Sequence, residues 1–297
     1  MLANKALAAT YNTHGADISI VIFQNLVAVI LVESCRMLGV VEYAKFQPSI
    51  ALRWLPVNVM FVAMLVTSFM SLKYLSVPMV TIFKNLANVT TATGEWYFFE
   101  ASQSSLVVVS FVVMIVGAVL AGSADLSFSL PGYLWMSVNC FATSSYILLM
   151  KRATKTLSLS KFGMVFYNNL LSVPLLLPVA LLKGELASLA LLAAPSVDAE
   201  GVALPATLFD AGFLSIMVFA GAVGFFLNLA SLWCVSATSG TTYAIVGAMN
   251  KIPTTLLGFF IFDTPMTARG GVYILLSMSG GFIYSYAKIA ESRQLRT

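Results

Sequence analysis

Apolar residues in this chain fall in long, nearly unbroken runs, with neither strict alternation nor a one-sided helical stripe. Such runs cover 16–38, 56–75, 77–99, 106–124, 131–150, 161–182, 211–235, 238–262 and 270–289. Each is about 20 residues long, enough to cross a hydrocarbon core of about 30 Å as a helix. The start, "MLANKALAATYN", is too short in its apolar part for a cleavable signal peptide and has a Lys inside it. It reads as the tail of a further span at 2–12. The pattern therefore predicts an all-α polytopic membrane protein of ten transmembrane helices, the first incomplete, forming one transmembrane domain over 1–297. Short connections predict antiparallel neighbours. The longest connection, 183–210, carries Glu185, Asp198, Glu200 and Asp210 with Pro195 and Pro205, and reads as a solvated loop.

Composition agrees with lipid as the solvent. Of the 297 residues only 9% are charged and 59% are hydrophobic, against about 25% charged in an ordinary soluble domain. The net charge of +4 is too small to indicate nucleic-acid binding. Its distribution is more informative, because cytosolic loops of membrane proteins are enriched in Lys and Arg. Arg36, Lys45 and Arg53 fall on one side, together with Lys151, Arg152, Lys155 and Lys161, and with Lys288, Arg293 and Arg296 at the end. The other side has Lys183 and Arg269, with Lys73 near a span end, and the acidic loop. The basic side is expected to be cytosolic, and with it the C-terminus.

An internal repeat is visible. "SLKYLSVPMVTIF" at 71–83 aligns without gaps to "SLWCVSATSGTTY" at 231–243, with Ser71/Ser231, Leu72/Leu232, Ser76/Ser236 and Thr81/Thr241 identical. Both copies fall where a tight turn joins two spans. The shift is five spans, and an odd number per repeat forces opposite orientations in the membrane, an arrangement common among transporters. The expected repeats are 1–126 and 127–297.

Candidate chemistry lies in polar residues within the spans. Thr81, Lys84, Asn85, Asn88, Thr91 and Glu95 recur every three or four residues along 77–99, so they share one helical face. Lipid cannot satisfy such a stripe, so it must face protein or a watery cavity. Inter-helix hydrogen bonding is the alternative; it accounts for Asn88 or Thr91 but poorly for a cation such as Lys84. Span 238–262 repeats the theme, with Tyr243, Gly247, Asn250 and Lys251 on one face and Pro253 just beyond. A structural ion pair for Lys251 would need Glu33 or Glu95, and Glu33 already has Arg36 one turn away. Deep cations outnumber deep anions, which points to a negatively charged ligand. Span 161–182 holds Phe166, Tyr167, Asn168 and Asn169. An Asn amide offers donors and an acceptor that suit a nucleobase edge, and Tyr167 could stack on a ring; asparagines that knit helices together are the alternative. Asn228, after Gly221 and Gly224, is a further buried amide, although those glycines read best as helix-packing positions.

Several function classes are disfavoured. Cys35, Cys140 and Cys234 have no spacing for zinc or a disulfide framework and read as buried thiols, and His14 is the only histidine. There is no G-x-x-x-x-G-K-[ST], H-E-x-x-H or G-x-S-x-G, and no pair of intramembrane aspartates. No metal, cofactor or enzymatic activity is expected. The Asn88-Val89-Thr90 sequon lies inside a span.

With these residues in view, the chain resembles the nucleotide-sugar transporters of the drug/metabolite transporter superfamily, of the GDP-mannose type. That group is marked by F-Y-N-N, matched in full by Phe166-Tyr167-Asn168-Asn169, and by G-A-L-N-K, matched by Gly247, Ala248, Asn250 and Lys251 with Met249 in place of Leu. The stretches at 71–86 and 233–243 are also similar. The resemblance implies two inverted five-helix repeats, a Golgi membrane location, and alternating-access exchange of cytosolic GDP-mannose or a related GDP-sugar for lumenal GMP. It implies that Asn168 or Asn169 reads the base, and that Tyr243, Asn250 and Lys251 hold the sugar-phosphate part. Lys84 and Asn85 would line the same cavity. The rivals are a carrier of another phosphorylated solute, such as a UDP-sugar or sugar phosphate, and a non-transporting scaffold. A homodimer is left open.

Overall fold

The computed structural model of the protein describes residues 4, 5, 7, 11, 15–100, 103–154, 156–157, 159–194, 196–197, 203–204, 210–237, 251–261 and 267–294. Helices dominate: α1 (Asp17–Met37), α2 (Pro48–Tyr74), α3 (Val77–Phe99), α4 (Ser105–Ser123), α5 (Leu130–Thr154), α6 (Lys161–Leu182), α7 (Glu185–Ala193), α8 (Ala211–Ala237), α9 (Lys251–Ile261) and α10 (Ala268–Gln294). Among the described residues, α1, α2, α4 and α6 are long and apolar enough to cross a membrane. Large apolar side chains stay exposed along α4, among them Val108, Val112, Ile115 and Val119, as expected where lipid is the solvent. The protein is a polytopic helical membrane protein.

Two details depart from the sequence reading. Helix α2 starts at Pro48, eight residues before the expected 56, because Pro48 fits a first helical turn and Pro56 is accommodated inside the helix. The 183–210 connection is more than a solvated loop. It contains α7 and a two-residue antiparallel pair, β1 (Ser196–Val197) with β2 (Ala203–Leu204), which also qualifies the all-α description. Two of its carboxylates do structural work. Glu185 is 1% exposed and accepts from Ile18 N (3.1 Å), Ser19 N (2.8 Å) and Ser19 Oγ (2.8 Å), so it satisfies the open N–H groups at the start of α1. Asp210 accepts from Phe213 N (2.8 Å) at the start of α8 and from Tyr11 OH (3.1 Å).

The chain forms two compact units, each drawn from both halves of the sequence. The first combines Ala3–Phe69 with Leu149–Ala230. Its core gathers Ile18, Ile20 and Val21 of α1, Phe69 of α2, Leu176 and Ala180 of α6, and Phe213 and Met217 of α8. Helix α6 is opened by Ser160, whose Oγ accepts from Gly163 N at 3.1 Å.

The second unit combines Met70–Leu148 with Ser231–Thr297. Here α4 and α10 approach so closely that a Cβ on Gly117 would lie 2.5 Å from the Ser277 backbone nitrogen, and one on Gly280 2.6 Å from Met114 Cγ. Small residues permit this contact, the usual basis of helix association in lipid. Helices α3 and α5 are joined by hydroxyls: Thr91 Oγ1 reaches Ser144 Oγ at 3.1 Å, and the Cys140 thiol donates to Phe83 O at 3.1 Å. Thr91 thus takes the hydrogen-bonding role, and Cys140 is a buried thiol.

Candidate functional site

In the second unit the sequence-predicted polar residues meet around Asn85. Helix α3 enters through Ser76 in extended conformation followed by Pro78 in the first turn. Two turns on, it presents Lys84 and Asn85. Asn85 is 0% exposed, and its Oδ1 accepts from Lys251 Nζ of α9 at 2.5 Å. Its Nδ2 points at Ser277 O of α10 at 3.5 Å, a long and weak bond. Gly281 makes room for the amide, since a Cβ there would meet Asn85 Oδ1 at 3.1 Å. Three helices therefore fix one amide so that its acceptor faces one ammonium.

Lys251 is half-buried, and among the described residues its hydrogen-bond partner is this neutral amide oxygen. Lys84, the neighbour of Asn85 on α3, is exposed although it lies within the helix. Ion pairs join Arg36 to Glu33 at 2.6 Å and Lys288 to Glu291 at 2.9 Å. Glu33 is thus committed to Arg36, as its spacing predicts.

In the first unit, α6 carries the aromatic–amide run. Tyr167 is 0% exposed; its hydroxyl accepts from Gln47 N at 2.9 Å and its ring stacks on Phe46 with centroids 5.8 Å apart. Asn168 is 4% exposed and accepts from Trp54 Nε1 at 2.8 Å. Its backbone oxygen accepts from Asn58 Nδ2 (2.8 Å) and from Ser172 Oγ (2.5 Å). Asn169 donates from Nδ2 to Val165 O of its own helix at 2.7 Å. In this structure Asn168 joins α6 to α2, the alternative that adjacent asparagines always carry, while Tyr167 meets the segment that precedes α2. The Asn169 amide oxygen takes no part in that bond.

Asn228 lies in α8, but its side chain falls outside what the structure describes, as do Tyr243, Gly247 and Asn250 altogether. Sequence reasoning missed Ser277 and Gly281 as partners of Asn85, and Trp54 and Asn58 as partners of Asn168. The small-residue run "SMSGGF" at 277–282 is a packing signal without chemistry of its own, and nothing local to "RWLPVN" at 53–58 points toward α6.

A membrane protein of apolar helices with lysines and amides held inside them has the build of a carrier for a polar solute. The chain belongs to the Triose-phosphate Transporter family, whose model matches residues 2–285. Among curated proteins it is 36% identical over 298 residues to the GDP-mannose transporter GONST1 of Arabidopsis thaliana, covering 98% of this chain and 85% of that protein. It is 35% identical to GONST2 of the same plant (98% and 76% covered) and 33% identical to a GDP-mannose transporter of Aspergillus fumigatus (97% and 77% covered).

Proposed function

We propose that the protein exchanges GDP-mannose, or a closely related GDP-sugar, for GMP across the Golgi membrane by alternating access, with its C-terminus in the cytosol. The observation that carries this reading is the Lys251–Asn85 contact. A lysine ammonium within membrane helices costs about 2.5–3.5 kcal/mol to place, and here its partner is an amide that cannot neutralise it. A diphosphate can. Lys84, next to Asn85 on α3, adds a second cationic side chain to this stretch of the helix. In α6, Asn169 offers an amide and Tyr167 a ring, chemistry that suits a purine. Likeness to proteins named GDP-mannose transporters is the reason to choose GDP over UDP as the nucleotide.

An Asn acceptor on Lys251 also suits an exchanger. The empty carrier keeps its cation satisfied but uncompensated, and the loaded carrier trades the amide for phosphate. Shared guanine and phosphate contacts let GDP-sugar and GMP use the same groups. The ten helices are organised as two inverted repeats, and the inverted-repeat part of this reading fits where the two units divide. The breaks after Phe69 and after Ala230 fall within a residue of equivalent positions in the repeat that aligns Ser71 with Ser231.

Counterflow in reconstituted vesicles tests the function. Vesicles preloaded with GMP should accumulate GDP-mannose, and Lys251→Ala should abolish the uptake while the purified variant keeps its thermal transition. Counterflow with UDP-sugars or triose phosphates but none with GDP-mannose would give the site to another phosphorylated solute. Unchanged exchange by a well-expressed Lys251→Ala protein would remove the lysine from the mechanism.

A further inference from the structure

Residues 38–47, which join α1 to α2, are tied down at successive points. Glu33 binds Arg36 twice, at 2.8 and 2.6 Å, and also accepts from Tyr43 OH, while the Arg36 guanidinium lies 5.6 Å over the Tyr43 ring. Burial, and then the Glu33 carboxylate, push the Tyr43 phenol above its ordinary range, so it stays a donor. The Tyr43 ring packs on Phe166 with centroids 5.1 Å apart. Phe46 then stacks on Tyr167 at 5.8 Å with the ring planes 30° apart. Next to it, Gln47 N donates to Tyr167 OH, and Gln47 O accepts from Ile50 N and Ala51 N to open α2. The segment is a strap, running from the end of α1 over both aromatic residues of the F-Y-N-N run.

The Phe46 contact is unusual in its burial. Tyr167 is 0% exposed beneath it, whereas Phe46 itself remains 46% exposed. The phenylalanine is thus the outer, half-exposed ring of the pair, and it covers a face of the buried ring below. A flat aromatic group stacked on Tyr167 is also what a purine would be. Exposed Lys45, within the strap, and Arg53, beyond it in α2, give this end a positive charge that attracts a nucleotide anion on approach.

We infer that the 38–47 strap gates the nucleobase subsite and that Phe46 is its latch, occupying on Tyr167 the stacking place a purine takes when the strap opens. This rests on the reading above that F-Y-N-N faces the base. Phe46 and the base compete, so the free protein is binding-competent only in the fraction of molecules with the latch lifted. Apparent affinity is reduced by that fraction. Removing the ring raises it. An aromatic pair of this kind corresponds to about a two- to tenfold change in affinity.

The test is GMP binding to the purified full-length protein by calorimetry, in Phe46→Ala, Tyr43→Phe and Asn169→Ala. Phe46→Ala should bind GMP two- to tenfold tighter, a gain that mere loss of packing does not produce. Tyr43→Phe keeps both rings but frees the strap from Glu33; it should shift affinity the same way by less, and it decides the matter if Phe46→Ala does not fold. Asn169→Ala should bind GMP more weakly. Equal or weaker GMP binding by Phe46→Ala and Tyr43→Phe, with Asn169→Ala still impaired, overturns the latch and leaves the base subsite standing. Unchanged GMP binding by Asn169→Ala overturns the subsite itself, and the latch with it.

Discussion

Asn85→Asp puts the central idea to its sharpest test, because it gives Lys251 a permanent counter-charge where the described residues offer it a neutral amide. Asp is nearly isosteric with Asn, and Gly281 already leaves room for the group. The new carboxylate oxygen would take the place of Oδ1, 2.5 Å from Lys251 Nζ. Opposite unit charges near 4 Å attract by about 4 kcal/mol at an effective dielectric of about 20. Lys251 is only half-buried, so solvent screening reduces this to about 2 kcal/mol. The long bond from Asn85 Nδ2 to Ser277 O is lost as well, a small cost at 3.5 Å. A diphosphate would have to displace an ion pair where it now displaces an amide. At about 1.4 kcal/mol per decade, affinity should fall by about 30-fold. Calorimetric titration with GMP and counterflow of GDP-mannose should both show the loss, while the thermal transition stays at or above that of the native protein. Native-like GMP affinity in a folded Asn85→Asp protein would show that Lys251 does not meet the phosphates.

Asn169→Ala should weaken GDP-mannose and GMP alike in competition assays, and a loss confined to one sugar would contradict a base-reading role. Glu185→Ala strips three acceptor contacts from the start of α1. It should lower stability by about 1–3 kcal/mol, with Glu185→Gln between the two in a detergent melting series; equal transitions for all three proteins would mean that water caps the helix as well as the carboxylate does. Gly117→Val would drive its side chain into the Ser277 backbone. It should abolish a monodisperse peak in size-exclusion chromatography, and an intact, active peak would contradict the close α4–α10 approach.

Much of this protein is legible without coordinates because lipid is a severe solvent. Runs of apolar residues such as 161–182 become helices end to end, and α6 spans Lys161–Leu182 as its pattern predicts. The lysines in spans 77–99 and 238–262 stand out for the same reason, since each carries an insertion cost that demands an explanation. The pairing of Glu33 with Arg36 follows from a three-residue spacing on one helix. The contacts of α7 were out of reach: "ELASLALLA" is too short for a span, and nothing near Glu185 in the sequence names Ser19 as its partner.

By itself, then, the sequence determined the membrane class, the helix limits to within a few residues in most cases, and the residue types able to meet a nucleotide. Those follow from local pattern and from the cost of polarity in hydrocarbon. Only the tertiary structure decided which groups meet: Lys251 with Asn85, Asn85 with the small residues of α10, Tyr167 with Phe46. Such pairs join positions 120 or more residues apart. Side-chain partners at that separation are chosen by how helices pack, and a helical period reports which face a residue is on without naming what lies opposite.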